Sequence, residues 1–130
     1  MDNVVPFGLS YIEAPAHYVI KQAEVSMREI EQMRLRAKRS VHEGFNKAMR
    51  QSESFSALHR IAFWLKHKRT FTEAAEEALS HAEEDASQLG RTSYEHCHSL
   101  KQMAQYLVDN HPDKENALVH LTINDWRSLH

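Results

Sequence analysis

Cysteine occurs once in this sequence, at Cys97, and glycine and proline occur three times each. A single thiol excludes an internal disulfide and any zinc site built from several cysteines. So few turn-forming residues leave little with which to close hairpins. Long apolar runs are missing as well: no stretch approaches the ~18 residues that a membrane-crossing helix needs. The opening, MDNVVPFGLS, lacks the basic start and extended apolar core of a secretory signal. There is no Gly-rich phosphate loop and no G-x-S-x-G nucleophile turn, and the ten histidines are scattered rather than clustered. These absences point to a cytoplasmic, reducing environment, no cofactor and no enzymatic centre.

What is present favours helices. The chain has 130 residues, enough for one domain with a core, and 42% of them are hydrophobic. The expected fold is all-α, a four- to five-helix bundle organised by one long N-terminal amphipathic helix. Residues 1–14 read as an apolar arm strapped across the core. Residues 15–130 read as a single helical domain, with helices at about 15–51, 54–68, 71–89, 93–110 and 113–121.

The first helix carries the clearest pattern. Ile20, Ala23, Met27, Ile30, Arg34, Ala37, Val41, Gly44 and Ala48 alternate spacings of three and four, a seam of the coiled-coil kind. A continuous helix of that extent would be about 54 Å long, against a radius of gyration of about 14 Å for a compact chain of this size. It must therefore bend near 40–44 or find a second chain. The expectation is a homodimer joined along Ile20, Met27, Ile30, Arg34 and Val41. Arg34, the one charge on that seam, is expected to meet Glu83, Glu84 or Asp85.

Later boundaries rest on caps and stripes. Ser54 is expected to cap the second helix, whose inner face would be Phe55, Leu58, Ile61, Ala62 and Leu65. Thr70 with Glu73, and Thr92 with Glu95, have capping-box spacing for the third and fourth helices. Cys97 falls on the apolar stripe of the fourth.

Charge is unevenly spread. From Arg28 to Arg69 there are 11 Lys and Arg against 4 Glu, whereas Thr70 to Asp85 holds 6 acids and no Lys or Arg. Arg28, Arg39 and Arg50, spaced by eleven, stack in one row. With Arg36, Lys47, Lys66, Lys68 and Arg69 they form a basic face for a partner. Glu73, Glu76, Glu77, Glu83, Glu84 and Asp85 form an acidic one.

Two short motifs suggest chemistry. Glu95 and His98 form an E-x-x-H pair similar to the metal motif of ferritin-like carboxylate proteins, which use two copies where this chain has one. His81 is a further candidate ligand. HSLKQMA, from His98 to Ala104, resembles the H-x-L-K-G core of histidine-phosphotransfer domains, with Gln102 in place of that family's glycine. The resemblance implies a solvent-facing, phosphate-accepting His98.

The function expected from all this is non-catalytic. The chain reads as a small helical protein-interaction protein, a regulator, inhibitor or adaptor of a macromolecular complex. Compact helical proteins without catalytic motifs are frequent among phage and mobile-element products that block host machinery, such as a nucleoprotein defence complex. Nucleic-acid binding through the Arg28/Arg39/Arg50 face is the alternative, and phosphotransfer at His98 a second one.

Overall fold

The computed structural model describes residues 2–5 and 9–130, with side chains from Tyr11 onward. The fold is an all-α helical bundle that also carries a small sheet. Strands β1 (Asp2–Val5) and β2 (Leu9–Pro15) precede α1 (Ala16–Ser52), α2 (Ala57–His67), α3 (Phe71–Ser87) and α4 (Arg91–Asn110). A 3-10 turn (Lys114–Asn116), strand β3 (Leu118–Leu121) and a short α5 (Ile123–Leu129) follow. The chain divides into two compact units, Met1–Glu31 with Gly90–His130, and Gln32–Leu89.

The first unit holds the core. The order of its sheet is β1-β2-β3, antiparallel throughout, with Ala14 opposite Val119 and Ile12 opposite Leu121. Val119 and Leu121 are buried while Leu118 and His120 face out, the alternation that a half-buried strand requires. Ala16, Val19 and Ala23 of α1 meet Cys97, Leu100, Ala104 and Val108 of α4 in the same cluster, closed by Leu129 of α5. The small residues let the helices approach closely. α5 ends over this core, and the last carbonyls of a helix have no partner within it. Here Gln22 Nε2 and Ser26 Oγ both donate to the Leu129 carbonyl, and Cys97 Sγ donates to that of Ser128 at 3.0 Å.

This sheet corrects two expectations. The arm over 1–14 is a pair of hydrogen-bonded strands and not a strap; Pro6, Phe7 and Gly8 lie outside the described residues. The helix expected at 113–121 is a 3-10 turn followed by β3. A-L-V-H-L alternates with period two, and in so short a run the sheet partner outweighs helical preference.

The second unit, Gln32–Leu89, is built differently. It comprises the C-terminal part of α1 with α2 and α3. Within it only Ser52 and Ala86 are buried. An aromatic trio packs within it: the rings of Phe55 and Phe63 stand edge-on to Phe71, at 5.1 and 5.5 Å between centroids. Such T-shaped pairs match the positive edge of one ring to the negative face of the next.

Caps set the turns. Ser56, not Ser54, caps α2 by accepting from the His59 amide, and Lys68 closes it in the left-handed conformation, φ 58°. The Thr70 side chain accepts from the Glu73 amide at the start of α3, as its spacing predicts. Gly90, φ 65°, leads directly into α4. Thr92 therefore lies inside that helix and caps nothing, and Glu95 pairs with Arg91 instead. α1 runs without a break through Ser40–Gly44.

Candidate docking surface

α2 is the element whose surface is out of keeping with its composition. At 100° per residue, Leu58, Ile61 and Leu65 share one face, with Trp64 at its edge, while Phe63 and His67 lie on the other. Phe63 packs against Phe71 and His67, so the aromatic side turns inward. The aliphatic side is left outward: Leu58 is 79% exposed, Ile61 56%, Leu65 58% and Trp64 49%. No residue of α2 is buried. The inner face expected from the sequence is thus inverted at every position except Phe55. Periodicity identifies an apolar face but cannot say which of two apolar faces finds a neighbour, and here the Phe55–Phe71 pair decides.

Part of the α1 seam has neighbours within the chain. Ile20 and Met27 pack against the core of the first unit. In the second unit Val41 helps line an apolar trough of about 280 Å³ between α1 and α3, with Gly44, Phe45 and Ala48 on one side and Ala75, Ala78 and Ala82 on the other. None of Ile20, Met27, Ile30, Arg34 and Val41 is in the exposed class. Arg34 Nε donates to the Leu89 carbonyl at 2.7 Å, so the guanidinium meets the C-terminal side of α3. A cation there is favoured by the partial negative charge at the C-terminal end of the helix.

The charged faces fare differently from one another. Arg28, Arg36, Arg39, Lys47 and Arg50 are all exposed, and none has an ion-pair or hydrogen-bond partner among the described residues. Arg69 pairs with Glu77, whereas Lys66 and Lys68 have no carboxylate partner among the described residues. On α3, Glu83 lies 3.8 Å from His42, and Glu84 accepts from Gln88. Glu73, Glu76 and Asp85 are exposed. The acidic helix is therefore partly engaged inside its own unit, while the row along α1 is displayed.

The metal and phosphotransfer candidates lie apart in their roles. Glu95 is held by Arg91 at 3.1 Å and His81 sits 3.8 Å from Glu77. Among the described residues no group of three or more His, Cys, Asp and Glu is placed to hold a metal ion. His98 is exposed on α4 beside Lys101, Gln102 and Tyr106, and Lys101 is paired with Glu24 at 3.2 Å.

One cluster went unread in the sequence. His96 Nε2 lies 2.7 Å from Asp125 Oδ1, and Ser128 Oγ lies 2.8 Å from His96 Nδ1. A carboxylate only accepts, so Nε2 donates to Asp125, and in the neutral imidazole Nδ1 then accepts from the serine hydroxyl. The order resembles a nucleophile–base–acid relay, but each member is committed to fastening α5 on α4. Asp125 also completes a capping box with Thr122 at the start of α5, and the Ser128 carbonyl accepts from Cys97. The T-I-N-D spacing was the available signal for the cap. Nothing local in the sequence points from His96 to residues 29 and 32 positions away. Cys97 is buried, as its place on the stripe predicts, and burial raises its thiol pKa above the ordinary value.

No family model matches this chain, and no curated protein or solved structure is similar to it. The functional reading therefore rests on the surface itself.

Proposed function

We propose that this protein is a small, non-catalytic helical interaction protein that regulates, inhibits or adapts a macromolecular target, and that it docks through the outward face of α2. One observation carries the reading: the aliphatic face of α2, an 11-residue helix, is turned to solvent while its aromatic face packs inward. Contiguous apolar surface of this kind is costly to leave in water and marks interaction sites. Trp64 at its edge is of the residue type that most often anchors an interface. In this reading a second chain meets α2 and not the seam of α1.

The test compares the protein with its Ile61→Asp variant as bait in a host lysate, with bound proteins quantified by mass spectrometry. Because Ile61 is more exposed than buried, the variant should keep its helical circular dichroism. A target retained by the first and lost by the second is the expected result. Identical bound sets would remove α2 from the function.

A second reading has its own observation. The cations Arg28, Arg36, Arg39, Lys47 and Arg50 lack intramolecular partners among the described residues. Such a row supports contact with a nucleic-acid backbone. Phosphate contacts weaken steeply with salt, and each contact removed lowers the slope of log affinity against log salt by about one. Duplex binding with that slope, reduced stepwise by Arg→Gln changes along the row, would support it; no binding at low salt would end it.

A further inference from the structure

We infer that the occupant of the α2 strip is an acidic amphipathic helix of a partner protein. The inference rests on the docking reading above and names the chemistry of what docks. The charge around the strip has one sign. From Ser54 through Arg69 the chain carries Arg60, Lys66, Lys68 and Arg69 and not one Asp or Glu. Glu77 balances Arg69, and Arg60 turns to the inward side, where it donates to the carbonyls of Ser52 and Phe55, so the cations that flank the strip are Lys66 and Lys68. Lys68 Nζ stands 5.4 Å from the Trp64 ring centroid, so a cation is held at the border of the apolar strip itself.

The shape of the strip selects a helix. The backbone of α2 is hydrogen-bonded within the helix and offers no strand edge to an extended peptide. Leu58, Ile61 and Leu65, spaced by three and four, make a convex ridge, and a ridge fits the groove between side-chain rows of another helix. A second copy fits poorly, because two strips bearing cations and no acids would face one another. An anionic bilayer shares the charge requirement but not the geometry: an interfacial helix keeps a polar face opposite its apolar one, whereas the opposite face of α2 is packed on Phe71.

The experiment is selection from a displayed library of helical peptides with randomised faces, using the full chain as bait and its Ile61→Asp variant for counter-selection. The expected winners have apolar residues at i, i+3 or i+4 and i+7 with a net negative charge, and bind the variant at least about tenfold more weakly. With Lys66→Glu and Lys68→Glu combined, the preferred peptides should switch to basic ones. Apolar winners without acidic bias, unchanged by the charge reversal, would overturn the acidic partner while leaving α2 as a docking face. Winners that bind the Ile61→Asp variant equally would overturn both. Binding to vesicles of phosphatidylserine and phosphatidylcholine, or self-association, either one abolished by Ile61→Asp, would assign the strip to a different occupant and overturn the inference.

Discussion

Cys97 and His96 are adjacent in sequence and illustrate how much a single turn of helix decides. Cys97 points into the core, where its thiol donates to the Ser128 carbonyl and desolvation raises its pKa. The folded state therefore holds the thiol proton to higher pH than the unfolded chain does. The stability this gives is complete below the ordinary thiol pKa and is lost as pH rises through and above it. For the unsubstituted protein, denaturant titrations should show stability declining as pH rises above the ordinary thiol value of 9.0. In Cys97→Ala that part of the decline should vanish, at a cost of about 1 kcal/mol at neutral pH for the small cavity left behind. His96, one residue earlier, is half-buried between Asp125 and Ser128. Removing it takes one hydrogen bond from a charged group and another from a hydroxyl. His96→Ala should destabilise the protein by about 1–2 kcal/mol, whereas His98→Gln should leave the melting temperature nearly unchanged. Equal effects of the two changes in the same melting experiment would contradict the assigned geometry.

At the scale of elements, the sequence carried the helices better than their faces. The long α1, the Thr70 cap and the stripe of α4 followed from periodicity and side-chain chemistry, which act locally. β3 was misread because a strand of four residues is decided by its neighbour across the sheet, and β2 lies about a hundred positions earlier. The inner face of α2 was misread for a related reason: two apolar faces competed, and only the aromatic packing of Phe55 and Phe71 separates them. Arg34 was expected to meet Glu83, Glu84 or Asp85, and its Nε donates to the carbonyl of Leu89, just beyond α3. Gly44 offers a direct test of how α1 is packed. It lies inside a continuous helix, and a Cβ there would meet nothing within 4 Å. Gly44→Ala should stabilise the protein by about 0.5–1 kcal/mol, through helix propensity and a less flexible unfolded chain. A loss of stability in thermal or denaturant unfolding would mean that the position is more crowded than this packing allows.

For the whole molecule, the contrast is between a unit with a closed core and a unit whose apolar side chains remain largely in contact with water. Twelve buried residues gather around α4, β3 and α5 in the first. In the second, Leu35, Leu58, Ile61, Trp64 and Leu65 are exposed, and Arg36, Arg39 and Arg50 of α1 have no partner among the described residues. In the proposed reading such a surface is completed by another molecule, and α2 carries its exposed apolar side chains Leu58, Ile61, Trp64 and Leu65. The most direct measurement of this account is the affinity of the full chain for its captured target, compared with that of Ile61→Asp and of Arg39→Ala. A side chain at the centre of the contact should cost at least about 2 kcal/mol, so Ile61→Asp should weaken binding about thirtyfold or more, while Arg39→Ala changes it only a few-fold. Equal affinity of the native chain and Ile61→Asp would contradict the assignment of α2 as the docking surface.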